Sequence, residues 1–204
     1  HQGAMKHLTL DDINSDMLHQ AGHLHFSSYF LQPGLKGSLG VLFQRARQLG
    51  LTTSLDMQWD PAEQWDLDLK KTLPYVDVFL PNETELLKLT GETNLEKAIH
   101  AVQDLGKYIV VKCGSKGSML CYDQKIIEKP AFLNDHVVDT IGAGDSFNAG
   151  YIYQFVKGGS PEKAQVFGNI TGAVSTTQAG GTNAFTSLED VMKLAKEKFN
   201  YTEG

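Results

Sequence analysis

The run Tyr108-Ile109-Val110-Val111-Lys112-Cys113 is apolar and β-branched almost throughout, with no alternation that would turn one face to water. Such a strand is buried on both faces, which points to a parallel sheet covered by helices. The surrounding chain fits that constraint by alternating strands and helices. His23 to Phe30 reads as a strand, and Gly34 to Leu49 carries Leu35, Leu39, Leu42, Phe43 and Ala46 at helical spacing before Gly50 stops it. Leu51 to Met57 reads as a second strand, Pro61 to Leu73 as a short helix and Tyr75 to Leu80 as a third strand. Asn82 is placed to cap a helix over 83–90, with Glu85 completing a capping box. Leu95 to Leu105 is helical and closed by Gly106, and Ser118 to Tyr122 with Lys125 to Lys129 reads as an antiparallel addition. Three helices close the chain: from Gly144, from Ser160-Pro161, and from Thr186 with Glu189 in a capping box. The expected class is α/β, an open and mostly parallel sheet with helices on both faces, forming one domain over residues 1–204. In such sheets ligands bind beyond the carboxyl ends of the strands.

Charge narrows the function. Eighteen Lys and Arg against 24 Asp and Glu leave a net charge of −6, and no basic run offers a footprint for nucleic acid or an anionic membrane. No apolar run reaches the roughly 18 residues of a membrane span, and no signal-peptide pattern opens the chain. The two cysteines, Cys113 and Cys121, cannot build a disulfide framework or a four-cysteine zinc site. The expected setting is the cytoplasm.

The chemistry concentrates in Asp139-Thr140-Ile141-Gly142-Ala143-Gly144-Asp145-Ser146-Phe147-Asn148-Ala149-Gly150. Gly142, Ala143 and Gly144 stand immediately before a helical pattern, so their backbone N–H groups and the helix dipole form an anion site suited to phosphate. Asp145 falls in the first turn beside that anion, where an acid is a poor phosphate binder. It is well suited to take the proton of a hydroxyl that attacks phosphorus. The alternative is an ordinary first-turn acid on a tight glycine turn, and the stretch alone leaves both readings open. Other phosphate motifs fail on spacing. A dinucleotide fingerprint needs glycine where Phe147 stands, and no Walker-type loop is present.

Residues 139–150 closely resemble the C-terminal signature of the PfkB, or ribokinase-like, carbohydrate kinases. Pro81-Asn82-Glu83-Thr84-Glu85, Lys112 to Gly117, and Gly168-Asn169 through Gly180-Gly181 resemble further family landmarks in the same order, over roughly Asp11 to Lys196. The resemblance implies a three-layer α/β/α sandwich with a mostly parallel, Rossmann-like sheet, and transfer of a phosphoryl group from ATP to a sugar hydroxyl. It implies that Asp145 is the catalytic base and that Gly142, Ala143 and Gly144 form the anion hole over the γ-phosphate. It implies nucleotide contacts from Lys112, Gly114, Ser115, Gly117 and Asn169, and that Asn82 and Glu85 order Mg2+ through water. Asp139, with backbone oxygens of Ile141, Ser175 and Gly180, matches a loop for a monovalent cation such as K+. Family members are longer. The part outside this sequence carries a glycine-pair signature, most sugar contacts and a β-sheet lid that serves dimerisation, so His1-Gln2-Gly3 reads as native sequence after a cut, and the chain alone is expected to be weakly active or inactive. Two other functions remain on the same fold: a non-catalytic nucleotide-binding or regulatory protein, and a kinase of a nucleoside or vitamin precursor. The intact Gly-Ala-Gly-Asp favours an enzyme, since a binding protein has no need of the base.

Several residues have plainer readings. His23 and His25 lie two apart on a strand and so share a face, but no third metal ligand accompanies them, and hydrogen-bonded packing is the simpler account. The resemblance implies that Ser27 to Tyr29 approach the sugar in the full-length protein, while Asp56, Trp59 and Asp60 fall at the carboxyl end of the second strand, where substrate contact and turn chemistry compete as explanations. Cys113 and Cys121 read as small residues in neighbouring strands, and Lys193 to Lys198 as a solvated helix face.

Overall fold

The computed structural model describes residues 3–202, so His1 and Gln2, on which the reading of the chain's start rests, lie outside the described residues. The elements in chain order are α1 (Ser15–His19), β1 (His23–Ser27), α2 (Leu39–Gln48), β2 (Thr52–Asp56), α3 (Leu69–Thr72), β3 (Val78–Phe79), α4 (Glu83–Thr90), α5 (Leu95–Val102), β4 (Tyr108–Lys112), β5 (Ser118–Tyr122), β6 (Lys125–Lys129), α6 (Ala143–Val156), α7 (Pro161–Ser175) and α8 (Leu188–Phe199). The six strands follow one another across the sheet in sequence order. The pairs β1–β2, β2–β3 and β3–β4 are parallel, with His23 opposite Thr52, Leu55 opposite Phe79 and Phe79 opposite Ile109. The expected mostly parallel α/β architecture is present. Among the described residues no helix is long and apolar enough to cross a membrane.

The chain divides into two compact units, one made of residues up to 111 with 121–126, the other of 112–120 with 127 onward. In the first unit α2 buries Leu39, Leu42, Phe43 and Ala46, the stripe its spacing predicts, and Phe26 meets Phe43 edge to face at 6.4 Å. Asp77, just before β3, accepts from Thr53 N at 2.9 Å and from Arg47 Nη1 at 2.5 Å. In the second unit Phe167, Ile170 and Val174 of α7 pack with Ala184, with Val191 and Ala195 of α8, and with Tyr201.

Helices α6 and α7 approach closely because their facing positions are small. A Cβ on Gly150 would run into the Thr171 side chain and the Phe167 carbonyl, and one on Gly168 would stand 3.0 Å from the Phe147 ring. Thr171 Oγ1 donates to Ser146 O at 2.8 Å, a hydroxyl tie between the two helices.

Several boundaries differ from the sequence expectation, among them β3, which keeps only Val78–Phe79 of 75–80, and α5, which ends at Val102 rather than Leu105. Four others have a local cause. The first strand ends at Ser27 because Ser28 turns into the left-handed region (φ 59°). The second helix starts at Leu39 rather than Gly34, since Pro33–Leu35 forms a separate 3-10 turn and Gly37 has φ 78°. The helix expected from Pro61 shrinks to α3, because the Asp60 carboxylate gathers the backbone N–H groups of Ala62, Gln64 and Trp65 and holds them out of a helical path. Helix α8 is capped by Ser187, not Thr186. Ser187 Oγ accepts from Asp190 N, and the Asp190 carboxylate takes the hydroxyls of both Ser187 and Thr186.

Candidate active site

Helix α6 begins as the glycine turn predicts. Gly142 is its N-cap with φ 77°, and a Cβ there would stand 3.0 Å from Gly181 Cα, so the position demands glycine for conformation and for space. The first intrahelical bond runs from Ser146 N to Gly142 O at 2.8 Å, and Ala143 N donates to Thr140 O at 3.2 Å. The Gly144 amide therefore stands in the first turn, at the positive end of the helix dipole, ahead of any helix partner. Asp145 is the next residue, as expected.

Lys112, the last residue of β4, reaches the same helix end. Its Nζ donates to Asn148 Oδ1 at 3.1 Å, and a Cβ built on Gly144 would lie 3.8 Å from that Nζ. An ammonium, a first-turn amide and the helix dipole converge on one spot, the composition of a phosphate site. Asn148 was not among the residues singled out from sequence. Its place one turn after Gly144 was the available signal, but only the path of β4 shows which side chain it meets. A cavity of about 760 Å3 opens beside α6, bordered by Gly142, Asp145, Thr171, Gly181, Phe185 and Val191.

Asp139 holds the loop before α6. Its Oδ1 accepts from Ile141 N at 2.9 Å and its Oδ2 from Gly180 N at 3.0 Å, so one carboxylate joins 139–142 to 180–181. These backbone bonds, Gly180's first, hold its pKa below the ordinary carboxylate value. Gly180 and Ile141 are thus brought together around Asp139. Ser175 is buried at the end of α7 and donates to Gly172 O at 3.1 Å, while its neighbour Thr176 accepts from Val138 N at 2.9 Å. The donor types, carbonyl and carboxylate oxygens, suit a hard cation, although both Asp139 oxygens already serve backbone amides.

The other expected nucleotide contacts divide. Gly114, Ser115 and Lys116 form an exposed 3-10 turn after β4, and Gly117 closes it, with Cys113 N donating to Gly117 O at 2.8 Å. Gly117 has φ 101° and its Cα lies against the Lys129 and Pro130 backbone, so no side chain fits there. Asn169 is buried in α7 and donates to Lys129 O and Pro130 O, a tie within the protein.

In the first unit, Asn82 and Glu85 form the predicted capping box. Asn82 Oδ1 accepts from Glu85 N at 2.9 Å and Glu85 Oε2 accepts from Asn82 N at 2.9 Å. An amide oxygen and a buried carboxylate are hard donors of the kind Mg2+ accepts beside its waters. Among the described residues no group of three or more His, Cys, Asp or Glu gathers into a metal cluster. His23 and His25 accordingly pair with hydroxyls: His23 with Thr52 and Ser54 at 2.8 Å each, and His25 with Ser54 at 2.7 Å.

The chain is similar to an uncharacterised sugar kinase of Archaeoglobus fulgidus, 30% identical over 167 residues, covering 81% of this chain and 65% of that protein. It is 29% identical over 191 residues to an ATP-dependent ribose-1-phosphate kinase of Halopiger xanaduensis, covering 93% and 60%. Arabidopsis thaliana ribokinase, solved with ribose and ATP, superimposes with a TM-score of 0.77 at 28% identity, covering 93% of this chain and 60% of that one. The chain thus spans less than two thirds of the length of these relatives and shares the ribokinase-like α/β fold. The family profile described as pfkB family carbohydrate kinase matches residues 1–188, and the chain belongs to that family.

Proposed function

We propose that this protein transfers the γ-phosphoryl group of ATP to a hydroxyl of a sugar, as a cytoplasmic phosphotransferase. The observation that carries the reading is the convergence of Lys112 Nζ and the Gly144 amide on the end of α6 that bears Asp145. The Lys112 ammonium and the Gly144 amide, on the turn that Gly142 and Ala143 shape, stabilise the charge on the transferring group, and Asp145 takes the proton of the attacking hydroxyl. The turn Gly114–Gly117, with Ser115 exposed on it, supports the nucleotide, and Asn169 acts on that side by fixing the 129–130 backbone. Asn82 and Glu85 would hold Mg2+ through water, where the ion neutralises phosphate charge. Asp139 with the oxygens of Ile141, Ser175 and Gly180 would hold a K+-like cation that stiffens the loop before α6. Most of the work is positioning, as is usual in phosphoryl transfer.

The test is Asp145→Asn in the full-length protein, a change that keeps shape and hydrogen-bonding reach but removes the proton acceptor. Turnover should fall about 10²–10⁴-fold, the usual worth of a general base. ATP affinity by calorimetry should stay level or tighten slightly, because a negative charge beside phosphate is gone. Near-normal turnover in the variant would leave Asp145 as a helix-start acid only.

A further inference from the structure

The bond from Lys112 Nζ to Asn148 Oδ1, 3.1 Å long, lies wholly within the second compact unit. A lysine ammonium sits at the end of a flexible four-carbon stem, so the place of its charge is set by whatever holds it. Asn148 is the fixed side of the pair, a residue of α6 only 3% exposed. Gly144 and Asn148 are four apart on that helix and therefore share a face, and helical side chains lean toward the N-terminus. Asn148 thus leans over the first turn, where Gly144 adds no side chain of its own. A Cβ on Gly144 would already stand 3.8 Å from Nζ, so any longer side chain would contest the place of the ammonium. The kind of acceptor matters as well. An ammonium only donates, so the uncharged Oδ1 is the atom of the Asn148 amide that meets it. A carboxylate in the same place would hold Lys112 at least as firmly, but it would cancel the positive charge and repel phosphate.

Resting on the kinase reading above, we propose that Asn148 is a positioning residue for phosphoryl transfer: it holds the Lys112 ammonium beside the Gly144 amide and leaves its charge whole for the phosphate. Asn148 touches no substrate and acts only through Lys112. The two residues are 36 apart in sequence, so the bond registers a cation from outside α6 to the helix whose first turn it complements. ATP then meets an ammonium already in place, and less side-chain freedom is lost when it binds. Of the three ammonium protons Asn148 takes one.

The experiment is a double-mutant cycle on ATP affinity, measured by calorimetry with magnesium on the full-length protein, with urea midpoints to confirm that each variant folds. Asn148→Ala should weaken ATP binding about fivefold, less than Lys112→Met does, because the ammonium is loosened rather than removed. In the Lys112→Met background the same change should move ATP affinity by less than about twofold, since the group it acts through is gone. A role confined to packing α6 gives the same loss in both backgrounds and overturns the proposal, as does an Asn148→Ala variant that binds ATP like wild type. Should alanine prevent folding, Asn148→Ser, whose hydroxyl is too short to reach the ammonium, takes its place in the cycle. Asn148→Asp keeps the shape and adds a charge, and it should weaken ATP binding about tenfold. Affinity equal to wild type in that variant overturns the argument for an uncharged acceptor. All of these failures leave the kinase reading standing. A Lys112→Met variant that binds ATP like wild type instead takes Lys112 out of the phosphate site, and the kinase reading loses the observation that carries it together with this proposal.

Discussion

Lys112 and Asp145 carry opposite charges at one end of α6, so only the loss of Lys112 should weaken ATP binding. Lys112→Met deletes an ammonium that stands beside Gly144 and bonds Asn148. The loss should weaken ATP binding by about 1–3 kcal/mol, a charge-assisted contact in a partly desolvated place, whereas Asp145→Asn spares it. Calorimetry on both variants under one salt condition separates the roles, and equal affinities in the two would remove Lys112 from the phosphate site. The glycine turn and Asp145 were legible in the sequence because a helix start is a local event, written in consecutive residues. The partnership of Lys112 with Asn148 was not. The two are 36 residues apart, and only the path from β4 to α6 brings them together.

Elements with strong local punctuation came out as read. The α4 capping box and the Ser160-Pro161 start of α7 rest on side chains that satisfy their own backbone within a few residues, and β5 and β6 fall at the bounds read from the sequence. The helix expected from Pro61 failed for the converse reason. Asp60 can serve as a first-turn cap or as an anchor that collects three amides, and the apolar spacing of that stretch is too sparse to decide between them. At the α6–α7 contact the glycines allow a sharper expectation. Gly150→Ala places a methyl against the Thr171 side chain and the Phe167 carbonyl, and the backbone half of that clash cannot swing away. Although alanine is the better helix former, the variant should be about 1–3 kcal/mol less stable, the range for overpacking a close contact. Chemical denaturation measures this, and a stability equal to or above wild type would show that the helices separate at little cost.

For the molecule as a whole, acid should act through His23 before it acts on the carboxylates. Burial, followed by the nearby His25 charge, pushes the His23 imidazole down from 6.5 to about 4, with Asp77 opposing. Between those values the unfolded chain binds a proton that the folded chain refuses. This contribution is therefore complete above about pH 6.5 and is lost as pH falls toward 4. His23 is partly exposed, so the loss is about 1–2 kcal/mol after allowance for solvent screening. Urea midpoints at pH 7 and 4.5 should differ less in His23→Gln than in wild type. An unchanged difference would assign the acid sensitivity elsewhere. Below that window the Asp139 tie between 139–142 and 180–181 also weakens, since its depressed carboxylate contributes above the ordinary carboxylate pKa and is lost as pH falls through the lower folded value.

The glycine-for-side-chain exchange along α6 and α7 also has a mechanical meaning. With the Phe147 ring seated against Gly168, the Thr171 side chain against Gly150 and Thr171 Oγ1 on the Ser146 carbonyl, the two rods meet with little slack between them. A displacement of the α6 amides must drag α7 along, so the first turn of α6 cannot drift to follow a ligand. Stiffness of this kind moves reorganisation cost out of each turnover and into folding, where it is met once in the lifetime of the chain. Compliance, where the protein has it, must reside in the turns that meet the ligand rather than in the helix that carries Asp145.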